Sequence, residues 1–190
     1  DRRQRQMCIR DRYVNGFSGN NTIVNKINTC MYGRKESDMV LQEKERTVIQ
    51  DLQTQEQCCI EKYGKYAQQA KDPELKALFL ELQGKEQEHY DSLTQVLNGN
   101  VPECDCNDTA GRDYLPKAAY TEDDNSEDKK NDAFLATDCI ATEKLVSGEY
   151  NTDVFAFGQS GVRKLLADIQ IEEQNHAEML YKYKTVNKMS

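Results

Sequence analysis

Lys85–Leu93 reads KEQEHYDSL and Ile171–Leu180 reads IEEQNHAEML. These two stretches hold the chain's only histidines, His89 and His176, and each histidine follows a glutamate, Glu86 or Glu173, by three residues. The pairs are 87 positions apart (176 − 89 = 87), and the same shift carries Asp51 onto Asp138, Glu56 onto Glu143 and Tyr63 onto Tyr150. It also carries Leu78 onto Leu165 and Gln83 onto Gln170. A register that runs this far without a gap predicts two copies of one helical hairpin.

Apolar residues recur in steps of three and four along four segments, marking on each the face that packs inside a helical assembly. The first seam is Ile49, Leu52, Glu56, Cys59, Tyr63, Tyr66, Ala70, and the second is Leu75, Phe79, Leu82, Glu86, His89, Leu93, Val96. The third is Ala136, Cys139, Glu143, Val146, Tyr150, Asp153, Phe157, and the fourth is Val162, Leu166, Ile169, Glu173, His176, Leu180, Tyr183. Glu56, Glu86, His89, Glu143, Glu173 and His176 therefore all fall on inward faces.

Buried carboxylates cost several kcal/mol each unless they are paired or bind a metal. No Lys or Arg lies on these seams to pair with them. One Glu from each of two helices, with Glu-x-x-His from each of the other two, is the donor set of a dinuclear carboxylate centre in a four-helix bundle. The i, i+3 spacing puts Glu and His on one helix face. The heights agree as well. Glu56 lies 16 residues before Asp72 (72 − 56), and Glu86 and His89 lie 14 and 17 after it. At 1.5 Å rise per residue, both arms reach roughly 24 Å from the turn. Imidazole and carboxylate donors without thiolate suit two iron or, alternatively, two manganese ions. Tyr63 and Tyr150 are either core tyrosines or partners of these ligands.

Helix punctuation fits the same organisation. Asp72-Pro73-Glu74 is an N-cap, a proline at the first helical position and an acid in the first turn. Ser37 offers an earlier cap, Asn98-Gly99 a stop, and Gly158–Gly161 (GQSG) a break. The expected architecture is all-α: an antiparallel four-helix bundle built from hairpins 37–98 and 132–187 and joined by a crossover linker, 99–131. Within that linker the acidic run Thr121–Asp132 (TEDDNSEDKKND) reads as a solvated connection. Residues 1–36 stand apart. Asp1–Arg12 resembles translated adapter sequence more than a protein segment, and Tyr13–Lys35 reads as a loose Asn- and Gly-rich arm. The bundle is expected over 37–188.

Seven cysteines among 190 residues form no C-x-x-C, which argues against a zinc site. Cys58, Cys59 and Cys139 read as small buried hydrophobes, whereas Cys30, Cys104 and Cys106 fall in polar stretches open to cross-linking. A net charge of −8 argues against a nucleic-acid partner. No apolar run approaches the ~18 residues of a membrane span.

The span from about Asp38 to Met189 resembles ferritin-like proteins of the rubrerythrin and bacterial spore-coat type. Leu135–Thr152 (LATDCIATEKLVSGEYNT), Ile171–Leu180 and Met39–Glu45 (MVLQEKE) are similar to the Coat F family of endospore-forming bacteria. The resemblance implies that Glu56, Glu86, His89, Glu143, Glu173 and His176 match the di-iron ligand pattern of the ferritin-like group. It implies a mother-cell, cytoplasmic origin and a place in the spore coat. The expected partners are dioxygen or peroxide as substrate, other coat proteins and a second copy in a homodimer. Rubrerythrin-like or manganese-catalase-like consumption of peroxide follows by analogy. This chain lacks the paired C-x-x-C module of rubrerythrins and with it an internal electron donor. The alternative reading is a structural coat protein whose metal site is non-catalytic or vestigial.

Overall fold

The computed structural model describes residues 40–104 and 108–189. The helices are α1 (Glu43–Gln69), α2 (Pro73–Leu97), a short α3 (Ala110–Asp113), α4 (Glu127–Asp153) and α5 (Ser160–Val186). A 3₁₀ turn, Val154–Ala156, follows α4, and there is no strand among the described residues. The adapter-like stretch and arm expected over residues 1–36, and the cap expected at Ser37, lie outside the described residues.

Short connections decide the pairing. Three residues separate α1 from α2, so the two must run antiparallel as a hairpin, and α4 and α5 pair in the same way across residues 154–159. At the first turn the Asp72 side chain accepts from Glu74 N–H at 3.0 Å and Pro73 opens the helix, as its sequence dictates. At the far end of α2 the chain turns through Gly99, whose φ of 87° lies in the left-handed region that a side chain disfavours.

The hairpins meet through two apolar layers. One gathers Tyr63, Leu75, Leu78, Phe79 and Leu82 with Leu135, Ala136, Leu180 and Tyr183. The other gathers Ile49, Leu52, Leu93 and Val96 with Val146, Tyr150, Val162, Leu166 and Ile169. Fully burying each such Leu, Ile or Phe contributes about 1.5–3 kcal/mol relative to leaving it exposed. Nearly every seam residue is buried; Tyr66, Ala70 and Asp153 are only half-buried, and Ala67 takes the buried place on α1.

Several expectations are corrected. α1 starts at Glu43, after Gln42, whose N–H donates to Glu45 at 2.9 Å. α4 starts at Glu127 and not at Asp132, because Ser126 caps it by accepting from Lys129 N–H while Glu127 and Asp128 face the positive end of the helix dipole. It ends at Asp153, earlier than the expected Phe157. Cys58 is exposed, not buried, although Cys59 and Cys139 are buried. Most of the acidic run Thr121–Asp132 is exposed, with Lys129 and Asp132 buried, whereas the linker before it is packed. Lys182 Nζ donates to the carbonyls of Gly111 and Arg112 at 2.6 and 2.8 Å, and Asn187 Oδ1 accepts from Ala119 and Tyr120 N–H. Gly111 N–H donates to Asn175 Oδ1, and a Cβ at Gly111 would stand 2.7 Å from that oxygen, so the approach requires glycine.

Asp132 carries the largest correction. Placed by its sequence in a solvated charge run, it is fully buried and accepts from Lys71 N–H, Asp72 N–H and Tyr120 Oη. One carboxylate of the second hairpin thereby satisfies the turn of the first. Removing it strands two backbone N–H groups, each costing about 1–3 kcal/mol. We expect Asp132→Ala to lower unfolding free energy by roughly 3 kcal/mol in denaturant melts. An unchanged midpoint would show that water replaces the carboxylate freely.

Candidate metal centre

Between the two apolar layers, each long helix turns carboxylate or imidazole inward. Glu56 comes from α1, Glu86 and His89 from α2, Glu143 from α4, and Glu173 and His176 from α5; none is more than 3% exposed. Every residue that the sequence placed on the site is brought together there, in two groups. Glu56, Glu86, His89 and Glu173 offer ligand atoms within 4.8 Å of one another, and so do Glu86, Glu143, Glu173 and His176. Glu86 and Glu173 belong to both groups, whereas each remaining residue belongs to one.

The histidines lie parallel, ring centroids 5.7 Å apart with planes at 16°. Nδ1 of His89 is 3.0 Å from Glu173 Oε1 and 3.4 Å from Glu86 Oε2. Nδ1 of His176 is 3.0 Å from Glu86 Oε1 and 3.6 Å from Glu143 Oε2. These are ion-pair distances without hydrogen-bond geometry. Both Nδ1 atoms, both oxygens of Glu86 and of Glu173, and Oε2 of Glu56 and Glu143 are buried with no hydrogen-bond partner. Buried polar atoms almost always find partners, so an inward-facing set left without them at one level has the character of a ligand cage.

Electrostatics describes the strain of this arrangement without cations. Burial pushes the Glu56 carboxyl upward, the Glu86 charge adds to it, and His89 only partly offsets the rise. Glu173 is held well above the usual carboxylate range by burial and by the charges of Glu86 and Glu143. Burial also pushes Glu86 up, but His176 and His89 outweigh it and hold this carboxyl low. For both imidazoles burial favours the neutral form, yet the surrounding glutamates win and hold the protonated form.

The sequence left two readings of the tyrosines, and the structure chooses between them. Tyr63 Oη donates to Glu143 and Tyr150 Oη donates to Glu56, both in short hydrogen bonds. Each tyrosine therefore holds the outer glutamate of the opposite hairpin, leaving that glutamate's second oxygen for the centre. Cys59 lies near all four glutamates, but burial and their charges push its thiol far above the usual range, so it supplies no thiolate.

Two further residues were missed in the sequence. Glu172 Oε2 lies 2.5 Å from His89 Nε2, fixing the outer edge of that ring. Nothing in the seam periodicity points to Glu172, because it stands one position off the inward stripe, and its counterpart in the first hairpin is Lys85. Asp138, which the sequence marked only as the repeat counterpart of Asp51, is half-buried and joins Lys62 at 2.9 Å and Tyr66 at 2.9 Å, tying α1 to α4 outside the centre.

Glu143, Glu173 and His176 all belong to the second hairpin, and so does the match to a known family. Residues 131–187 match the Coat F domain. The Coat F match spans α4, the connection and α5, and so contains half of the centre; Glu56, Glu86 and His89 lie outside it. No curated protein and no solved structure matches the chain. No helix among the described residues is long and apolar enough to cross a membrane.

Proposed function

We propose that this chain is a ferritin-like, four-helix dinuclear metal protein of spore-coat type. Glu56, Glu86, His89 and Glu173 would hold one iron or manganese ion, and Glu86, Glu143, Glu173 and His176 the other. The observation that carries this reading is the set of buried ligand atoms without partners, divided between two groups that share two carboxylates. The charges support it: four buried glutamates balance two divalent cations, while neutral imidazoles complete the donor set.

Bound there, a pair of iron or manganese ions supplies redox chemistry toward dioxygen or peroxide. The protein's own contribution is positional. Glu86 and Glu173 reach both positions, Tyr63 and Tyr150 fix the outer glutamates, and the two apolar layers exclude bulk water from either side. Excluding water strengthens each charge interaction inside. A second reading draws on the Coat F match: the protein is a component of the spore coat, in contact with other coat proteins or a second copy of itself, and the metal pair is a staple between hairpins. Peroxide consumption by metal-loaded protein separates the two readings.

The first test of the centre is metal content by mass spectrometry, comparing the wild-type chain with a His89→Ala/His176→Ala double variant. We expect about two iron or manganese ions per wild-type chain and close to none in the variant. A wild-type chain that keeps its helical circular dichroism after iron and manganese loading, yet retains neither metal, overturns the proposal.

A further inference from the structure

The repeat that builds the centre fails at one position that touches it. Residue 172 on α5 is glutamate; its counterpart 87 positions earlier, on α2, is Lys85. Glu172 accepts from His89 Nε2 across the interface between α5 and α2. At the related position stands Lys85, whose ammonium donates to Glu88 Oε2 at 2.8 Å and cannot accept a proton from an imidazole N–H. Among the described residues, His176 Nε2 has no hydrogen-bond partner.

The surroundings differ in the same sense. His176 forms part of the wall of a cleft of about 380 Å³ between α2, α5 and the start of α3, together with Lys85, Asp108, Glu172 and Met179. His89 is not on that wall. One imidazole is thus braced by a carboxylate and the other lines a cleft, both being equally buried at 3% exposure.

A carboxylate on the far nitrogen of a metal-binding histidine fixes its tautomer and orientation and raises its basicity as a ligand. Resting on the dinuclear reading above, we infer that the two metal positions are unequal. The His89 position fills first and holds its ion tightly, with Glu172 as its positioning residue. The His176 position binds more weakly and exchanges its ion through the cleft. Losing such a partner typically weakens metal affinity about 10–100-fold, which sets the expected gap between the positions.

The test is an anaerobic titration of the metal-free full-length chain with Co²⁺, followed by visible absorption in competition with a chelator of known affinity. The wild type should show two binding steps separated by about 10–100-fold in Kd. Glu172→Gln, nearly the same size, should weaken the tighter step about 10-fold or more and leave the weaker one in place, so that the steps converge. Lys85→Glu should move only the weaker step, tightening it by supplying the missing carboxylate. Circular dichroism establishes that each variant is folded. Two equal steps in the wild type, or a Glu172→Gln variant that leaves both steps unchanged, overturn the inequality while leaving a dinuclear centre. No Co²⁺ binding by the folded wild type overturns the dinuclear reading itself.

Discussion

Glu86→Ala should empty both metal positions, whereas Glu56→Ala should empty one. Both residues are fully buried glutamates on neighbouring helices, so burial alone predicts similar losses. Their memberships differ: Glu86 belongs to both ligand groups, and Glu56 only to the group around His89. Losing Glu86 leaves three residues in each group and removes one of the two carboxylates that would hold the cations side by side. Losing Glu56 leaves the group of Glu86, Glu143, Glu173 and His176 intact. At manganese in excess of both sites, mass spectrometry should find close to no metal in the first variant and about one ion per chain in the second. Equal contents in the two variants would mean that Glu86 is not shared, and the dinuclear arrangement would have to be abandoned for two separate sites.

The second large effect is on stability. A ligand that binds only the folded state adds RT ln(1 + [L]/Kd), about 2.7 kcal/mol per site at a hundredfold excess over Kd. Two sites give roughly 5 kcal/mol, which for a chain of this size corresponds to a melting shift of roughly 10–20 °C. In the metal-free chain, burial and the Glu86 and Glu143 charges hold the Glu173 carboxyl well above the usual carboxylate range. Chelator should therefore lower the melting temperature of the loaded wild type by that amount and leave the His89→Ala/His176→Ala variant nearly unmoved. The variant serves as the control for chelator effects unrelated to the centre. A shift of equal size in both proteins would place the stabilising metal elsewhere.

The two predictions draw on different levels of information. That glutamate and histidine lie on inward faces was legible from periodicity, because 3.6 residues per turn ties sequence spacing to one stripe of a helix. The hairpin turn at Asp72-Pro73 was legible because a cap and a proline act within a few residues. The start of α4 was equally local: Ser126 followed by two acids is a helix start, but the charge run around it reads as solvated chain. Asp132 was misplaced for another reason. Its burial depends on backbone N–H groups at Lys71 and Asp72, which are 61 and 60 positions away and invisible to any local pattern.

Sequence by itself determined the helical class, the 87-residue repeat and the identity of the inward-facing donors, since each follows from spacing along one helix. Only the tertiary structure decided how those donors are shared. That Glu86 and Glu173 reach both groups, that Tyr63 and Tyr150 cross to the opposite hairpin, and that Glu172 braces His89 while His176 lines a cleft are facts about two hairpins meeting. Helical periodicity fixes the direction in which a side chain leaves its own helix. The neighbour it meets is set by the rotation and height of one hairpin against the other, and side-chain packing across the interface fixes both.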